Sequence, residues 1–130
     1  MREVGRMITN TNDGATFAVC LFMSDILANF LRLVGSPRDG ALLRYSLGNE
    51  YLKIEDYDNA ILHLREALRL DPRHSASWKL LGKSLAAAGR AEEALQAYRE
   101  GIAVAEARGD QQALKEMRVF AKRLEKNGGH

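Results

Sequence analysis

The sequence has little of several residues that would indicate other classes of protein. A single cysteine, Cys20, cannot form a disulfide within the chain, so we expect a reducing, cytoplasmic location. Only two prolines interrupt the 130 residues, which favours long helices. No apolar run approaches the ~20 residues that a membrane helix needs, so no membrane contact is expected. The formal net charge of +2 argues against a general nucleic-acid binder.

The N-terminal part of the chain lacks the pattern of a folded helix. Residues 1–14 are polar, and residues 15–23 form a short apolar run. A signal peptide would place basic residues directly before that run, but the polar sequence TNTNDG intervenes. We therefore predict a flexible or accessory segment over 1–23, an ordered domain over 24–127 and a tail over 128–130. An amphipathic helix is predicted over 24–34, where the domain begins.

A repeat of 34 residues organises the rest of the chain. Leu47-Gly48 returns as Leu81-Gly82, and Ala60 returns as Ala94. Glycine inside a helix costs about 1 kcal/mol relative to alanine, so its recurrence indicates closely packed helices. We expect Gly48 to lie opposite Ala60, and Gly82 opposite Ala94, in antiparallel helix pairs.

These positions resemble the tetratricopeptide repeat, whose pattern is W-x2-L-G-x2-Y, then A-x3-F, then P. The first copy, 41–74, has Leu47, Gly48, Tyr51, Ala60 and Pro72, and the second, 75–108, has Trp78, Leu81, Gly82 and Ala94. Arg44 stands at the tryptophan position of the first copy, and Glu106 stands at the proline position of the second.

The resemblance implies an all-α fold of antiparallel helix hairpins in a short right-handed α-solenoid. The predicted helices are 41–54 and 57–70, then 75–88 and 91–107. Glu106 cannot stop the last of these as proline would, so that helix is expected to overrun until Gly109. A capping helix with an apolar stripe is predicted over 110–126.

The sequence shows no constellation of residues that would support catalysis. His63, His74 and His130 lack partners at metal-ligand spacing, and Cys20 has no nearby histidine. No glycine-rich segment has the spacing of a phosphate-binding loop. We predict no enzyme activity, no metal and no cofactor.

The resemblance instead implies an interaction module or adaptor, since the first helix of each tetratricopeptide repeat lines a concave groove where peptides dock. The predicted groove residues, all polar, basic or partly apolar, are Tyr45, Asn49, Leu52, Lys53, Lys79, Lys83, Lys115 and Arg118. Their charge suits an acidic peptide or a free C-terminal carboxylate. The carboxylate clamp of chaperone-binding members is incomplete, because Tyr45 replaces its lysine and Lys83 its asparagine.

Two other functions stay open. An exposed end of the array could form a homodimer through Val119 and Phe120, although ordinary core packing of these residues is favoured. The basic last helix could contact nucleic acid, since residues 111–130 carry five Lys or Arg against two Glu. We disfavour nucleic acid because that excess is modest and Phe120 is the one aromatic residue there.

Overall fold

The computed structural model describes residues 25–128, and these residues are almost entirely helical. Residues 25–31 are helical (α1) and are followed by turns up to residue 40. The other helices are α2 (Ala41–Lys53), α3 (Tyr57–Leu70), α4 (Ser75–Ala87), α5 (Ala91–Arg108) and α6 (Gln111–Gly128). The helix predicted over 24–34 is therefore shorter at its C-terminal end. Cys20 and the segment 1–23 lie outside the described residues.

Two turns within the repeats use the same backbone conformation with different residues. Between α4 and α5 Gly89 has φ 81°, whereas between α2 and α3 Glu55 has φ 61°. Glycine adopts this left-handed region at little cost, but a residue with a side chain does not. Asp56 then begins α3 as its N-cap, since its carboxylate accepts a hydrogen bond from the Asn59 backbone N–H at 3.3 Å.

The helices pack as sequential antiparallel pairs, which confirms the predicted all-α hairpin fold. Helix α2 packs on α3, α4 packs on α5, and α6 packs on α5 as the last element. The first helices of successive pairs also touch, because α4 contacts both α2 and α6. These three helices therefore lie side by side.

The recurring glycines allow the two helices of each pair to approach closely. A Cβ atom at Gly48 would lie 2.5 Å from Leu64 Cγ, and one at Gly82 would lie 2.6 Å from Tyr98 Cδ1. The side chain filling the space beside Gly48 is thus Leu64, one helical turn beyond Ala60. The same substitution of partner applies to Gly82, where Tyr98 replaces the expected Ala94.

Two clusters of buried side chains form the core. The first joins α3, α4 and α5 through residues such as Leu64, Leu81 and Leu85. The second joins α5 and α6 through Tyr98 and Met117, which is fully buried. Trp78 packs against both clusters, and its indole N–H donates to the Pro72 carbonyl at 2.9 Å. The capping helix therefore completes the core of the second repeat.

Candidate functional site: the first-helix face

The surface of α2, α4 and α6 that turns away from α3 and α5 carries most of the predicted site residues. We call it the first-helix face, and it comprises Tyr45, Asn49, Leu52, Lys53, Lys79, Lys83, Glu116 and Phe120. On α2, Tyr45 and Leu52 are partly buried against the first core cluster. The Tyr45 ring also meets the His74 ring edge-on, with centroids 5.0 Å apart. Asn49 lies between them along the helix and is partly exposed.

The α2 end of this face carries little free positive charge. Lys53 Nζ lies 2.9 Å from Glu50 Oε2, and the side chain of Glu50 is only 10% exposed. This pair lies one helical turn apart on α2, as i,i+3 neighbours do. Lys53 therefore has a built-in carboxylate partner.

The two lysines of α4 each face a residue of α6. Lys79 Nζ lies 2.9 Å from Glu116 Oε1. One turn further along both helices, Lys83 Nζ lies 5.9 Å from the centre of the Phe120 ring. An ammonium group within about 6 Å of an aromatic ring is weakly attracted to it. Glu116 and Phe120 are thus part of the face, although the repeat pattern did not indicate them.

The register of α6 explains why these two residues were missed. Lys79 and Glu116 are 37 residues apart, as are Lys83 and Phe120, rather than the 34 of the repeat. A shift of 34 residues from the lysines leads to Ala113 and Met117, which are both buried. Helix α5 has 18 residues where α3 has 14, and α6 therefore begins later than a strict repeat would place it.

Lys115 and Arg118, which were predicted on α6, do not join Lys79 and Lys83. Arg118 donates a hydrogen bond to Glu106 at 3.0 Å, so it lies on the side of α6 that faces the end of α5. Lys115 is exposed and lies nearly opposite the fully buried Met117 on the helix. The structure therefore brings together the predicted residues of α2 and α4, but not those of α6.

The residues considered for a homodimer contact have different environments. Phe120 packs within the chain against Tyr98, with ring centroids 5.8 Å apart. Val119 is 47% exposed and lines a cavity of about 380 Å³ together with Ile102 and Ala121. Of this pair, Val119 alone presents an apolar side chain to solvent.

A larger cavity, of about 500 Å³, lies between α3 and α5 on the other side of α4. Its floor is formed by Trp78, Leu81 and Leu85, and its rim includes Arg65 and Glu93, whose charged groups are 3.2 Å apart. None of the predicted site residues lines this cavity. Its charged rim is internally paired, so we regard the first-helix face as the better candidate site despite its smaller depth.

A buried polar cluster replaces the expected tryptophan of the first repeat. Arg44 donates to both carboxylate oxygens of Asp39 at 3.0 Å, and a third nitrogen lies 3.3 Å from His63 Nδ1. The Tyr51 ring stacks on the imidazole at 5.5 Å. Hydrogen bonds from Arg44 lower the pKa of Asp39 to about 2. Burial, with a further contribution from Arg44, lowers the pKa of His63 below 6.5.

Two structural searches of the described residues complete the picture. Over residues 25–128, no helix is long and apolar enough to span a membrane. Across the same part of the chain, no three His, Cys, Asp or Glu side chains are grouped so that they could hold a metal ion.

Comparison with known proteins places the chain among repeat proteins. The family model described as "Tetratricopeptide repeat" matches residues 45–113. The TPR repeat-containing protein PA0015 of Pseudomonas aeruginosa is 48% identical over 95 residues, which cover 73% of this chain and 90% of that protein. The solution structure of protein BPP2914 from Bordetella parapertussis is 42% identical with a TM-score of 0.70, and the match covers 78% of this chain and 89% of the other.

A more distant relative has a name that describes a function. The peroxisomal targeting signal receptor of Eremothecium gossypii is 36% identical over 78 residues, which cover 59% of this chain but only 14% of the receptor. The crystal structure of MamA has a TM-score of 0.61 over 97% of this chain at 18% identity, and it supports the fold alone. The chain belongs to the tetratricopeptide repeat family, whose repeats commonly serve as protein–protein interaction modules.

Proposed function

We propose that the protein binds an acidic segment of a partner protein on the first-helix face. The observation that carries this proposal is the placement of Lys79 and Lys83 one turn apart on α4, at the centre of three adjacent helices. Ammonium groups form charge-assisted hydrogen bonds with carboxylates, which are stronger than bonds between neutral groups. An acidic side chain or a free C-terminal carboxylate would match this charge.

The neighbouring residues suit an extended segment with mixed side chains. Tyr45 and Leu52 supply partly exposed apolar surface on α2, and Asn49 supplies an amide that can both donate and accept. Because only three helices contribute, the buried area is small and we expect dissociation constants near the micromolar range, on the order of 1–100 μM.

The relatives support peptide recognition as a general function of such repeats. A peroxisomal targeting signal receptor contains a region related to this chain, and its name describes recognition of a targeting signal. We transfer only the idea of a short segment as ligand, since this chain matches 14% of the receptor.

The test is a binding titration with a labelled oligoglutamate that has a free C-terminal carboxylate. Fluorescence anisotropy at about 0.15 M salt would compare the wild type with the double variant Lys79→Gln/Lys83→Gln. Lys122→Gln/Lys126→Gln is the matched control, because these exposed lysines have the same spacing on α6 and lose the same charge. Circular dichroism would establish that all three proteins fold.

We expect the α4 variant to bind at least about five-fold more weakly than the wild type, and the α6 control to bind within about two-fold of it. Equal losses in the two variants would show unspecific attraction to net positive charge. Unchanged affinity in the α4 variant would remove the binding site from the first-helix face.

A further inference from the structure

We infer that Glu116 acts as an internal ligand of Lys79, so that Lys83 beside Phe120 is the primary anion-binding group of the first-helix face. This inference rests on the proposed function and specifies how that site recognises its ligand. It also predicts that the helix capping the array restrains binding, because Glu116 belongs to α6.

The contact between Lys79 and Glu116 has the geometry of a bound carboxylate. The Nζ–Oε1 distance of 2.9 Å is that of a direct charge-assisted hydrogen bond. The lysine side chain is 26% exposed and that of the glutamate 39%. A ligand carboxylate that approaches Lys79 must therefore displace Glu116 or share the ammonium group with it.

Lys83 has a different environment, although it lies only one turn further along α4. It is exposed, and among residues 25–128 it forms no ion pair. The Phe120 ring attracts the ammonium group but offers no carboxylate oxygen, so the hydrogen-bond donors of Lys83 stay available.

The pair formed by Lys83 and Phe120 favours a particular ligand chemistry. A carboxylate can bind the ammonium group while an adjacent apolar group of the ligand contacts the exposed part of the ring. We therefore assign to this face a peptide in which one acidic residue or terminal carboxylate is followed or preceded by an apolar side chain. A second acidic residue would gain less, because Lys79 is already paired.

Single variants and a double-mutant cycle test the assignment with the oligoglutamate probe. Lys83→Gln should weaken binding about two- to five-fold, whereas Lys79→Gln should change it by less than about two-fold. Glu116→Gln should strengthen binding about two- to five-fold, because Lys79 becomes available. In the Lys79→Gln background the same Glu116→Gln change should have no effect.

The cycle separates this role from two simpler explanations. If Glu116 only stabilised the fold, Glu116→Gln would leave affinity unchanged or lower it. If Glu116 only repelled the ligand at a distance, the gain would persist in the Lys79→Gln background. Glu125→Gln is the matched control, because it removes a carboxylate of α6 that lies 3.5 Å from Arg99 of α5, outside the first-helix face.

Failure of this inference can be distinguished from failure of the proposed function. Suppose that Lys79→Gln/Lys83→Gln loses affinity, but Glu116→Gln gains none or Lys79→Gln alone loses as much as Lys83→Gln. Then the face binds acidic ligands and Glu116 is not an internal ligand. If the probe binds neither the wild type nor Glu116→Gln, both the proposed function and the inference are wrong.

Discussion

At the scale of single residues, the two intra-repeat turns contain a natural comparison. Glu55 and Gly89 are 34 residues apart and share the left-handed backbone conformation, with φ 61° and 81°. An L-residue in this region costs about 1–2 kcal/mol, while glycine gives back about 0.5–1 kcal/mol through its flexible unfolded chain. The first repeat is therefore strained where the second is relaxed.

We predict that Glu55→Gly raises the free energy of unfolding by about 0.5–1 kcal/mol. The reciprocal change, Gly89→Ala, should lower it by a similar amount, since no atom lies within 4 Å of a new Cβ and backbone conformation alone is altered. Urea denaturation measures both. A loss of stability in Glu55→Gly would mean that the glutamate side chain contributes more than its conformation costs.

The glycines inside the helices act through space rather than through conformation. Tyr98 is 2% exposed, and its ring, which also packs on Phe120, occupies the space beside Gly82. We predict that Gly82→Ala destabilises the protein by about 1–3 kcal/mol through overpacking, despite the better helix propensity of alanine. Ala103→Gly, at an exposed position inside α5, is the control and should cost about 1 kcal/mol. If Gly82→Ala stabilised the protein, the α4–α5 contact would be looser than it is described above.

At the scale of helices, the two repeats fill equivalent positions with different chemistry. Arg44 and His63 in the first repeat correspond, 34 residues on, to Trp78 and Ala97 in the second. Trp78 covers apolar neighbours on both sides, and the small Ala97 lines the same cavity. On the first pair of helices the same positions carry an ion pair and an imidazole. A polar cluster is suited to the N-terminal side of α2 and α3, where no further complete helix pair among the described residues covers it.

This polar cluster makes the stability of the protein depend on pH. Burial lowers the folded-state pKa of both His63 and His74 below 6.5, so unfolding takes up protons as the pH falls through that value. The stabilisation is complete above about pH 6.5 and is lost toward the lower folded-state pKa. Asp39, with a pKa of about 2, stays ionised throughout this range and keeps its pair with Arg44.

We therefore predict that the free energy of unfolding falls between about pH 7.5 and about pH 5.5, and falls less steeply in His63→Gln. Denaturation at several pH values measures the slope, which is informative even if the variant is less stable overall. The contribution of His74 should remain in the variant. An identical slope in the two proteins would show that His63 is protonated equally in the folded and unfolded states.

Helix boundaries and pairing could be predicted from the sequence because local signals determine them. Asp56, Gly89 and Gly109 mark helix ends through caps and left-handed turns, and α2 to α5 begin where the pattern placed them. The rotation of α6 could not be predicted in this way. It depends on Met117 packing against Gly101 and Trp78, contacts between residues distant in sequence. Glu106 indicated a longer α5, but not that Glu116 and Phe120 would face the α4 lysines.

At the scale of the whole molecule, stability depends on contacts between neighbouring units. Each repeat buries apolar surface mainly against the next one, so the loss of one interface affects its neighbours. Here Trp78 contacts both core clusters, and Met117 of α6 seals the space beside Gly101. Since the chain has a single tryptophan, its fluorescence reports on the junction between the second repeat and the capping helix.

We predict that Met117→Ala destabilises the protein by about 2–5 kcal/mol, because the fully buried side chain leaves a cavity. Val119→Ala, on the exposed side of the same helix, should change stability by less than about 0.5 kcal/mol. Thermal unfolding followed by circular dichroism and by Trp78 fluorescence should give one shared transition in each protein, shifted only in Met117→Ala.

Coincident transitions would mean that α6 and the second repeat unfold together, which the internal-ligand role of Glu116 requires. A helix that detached independently would expose Lys79 without any competing ligand. If circular dichroism of Met117→Ala instead showed an early loss of helix while Trp78 fluorescence was unchanged, α6 would be a separable cap. In that case the affinity of Met117→Ala for oligoglutamate should rise toward that of Glu116→Gln, because detachment of α6 would also remove Glu116 from Lys79.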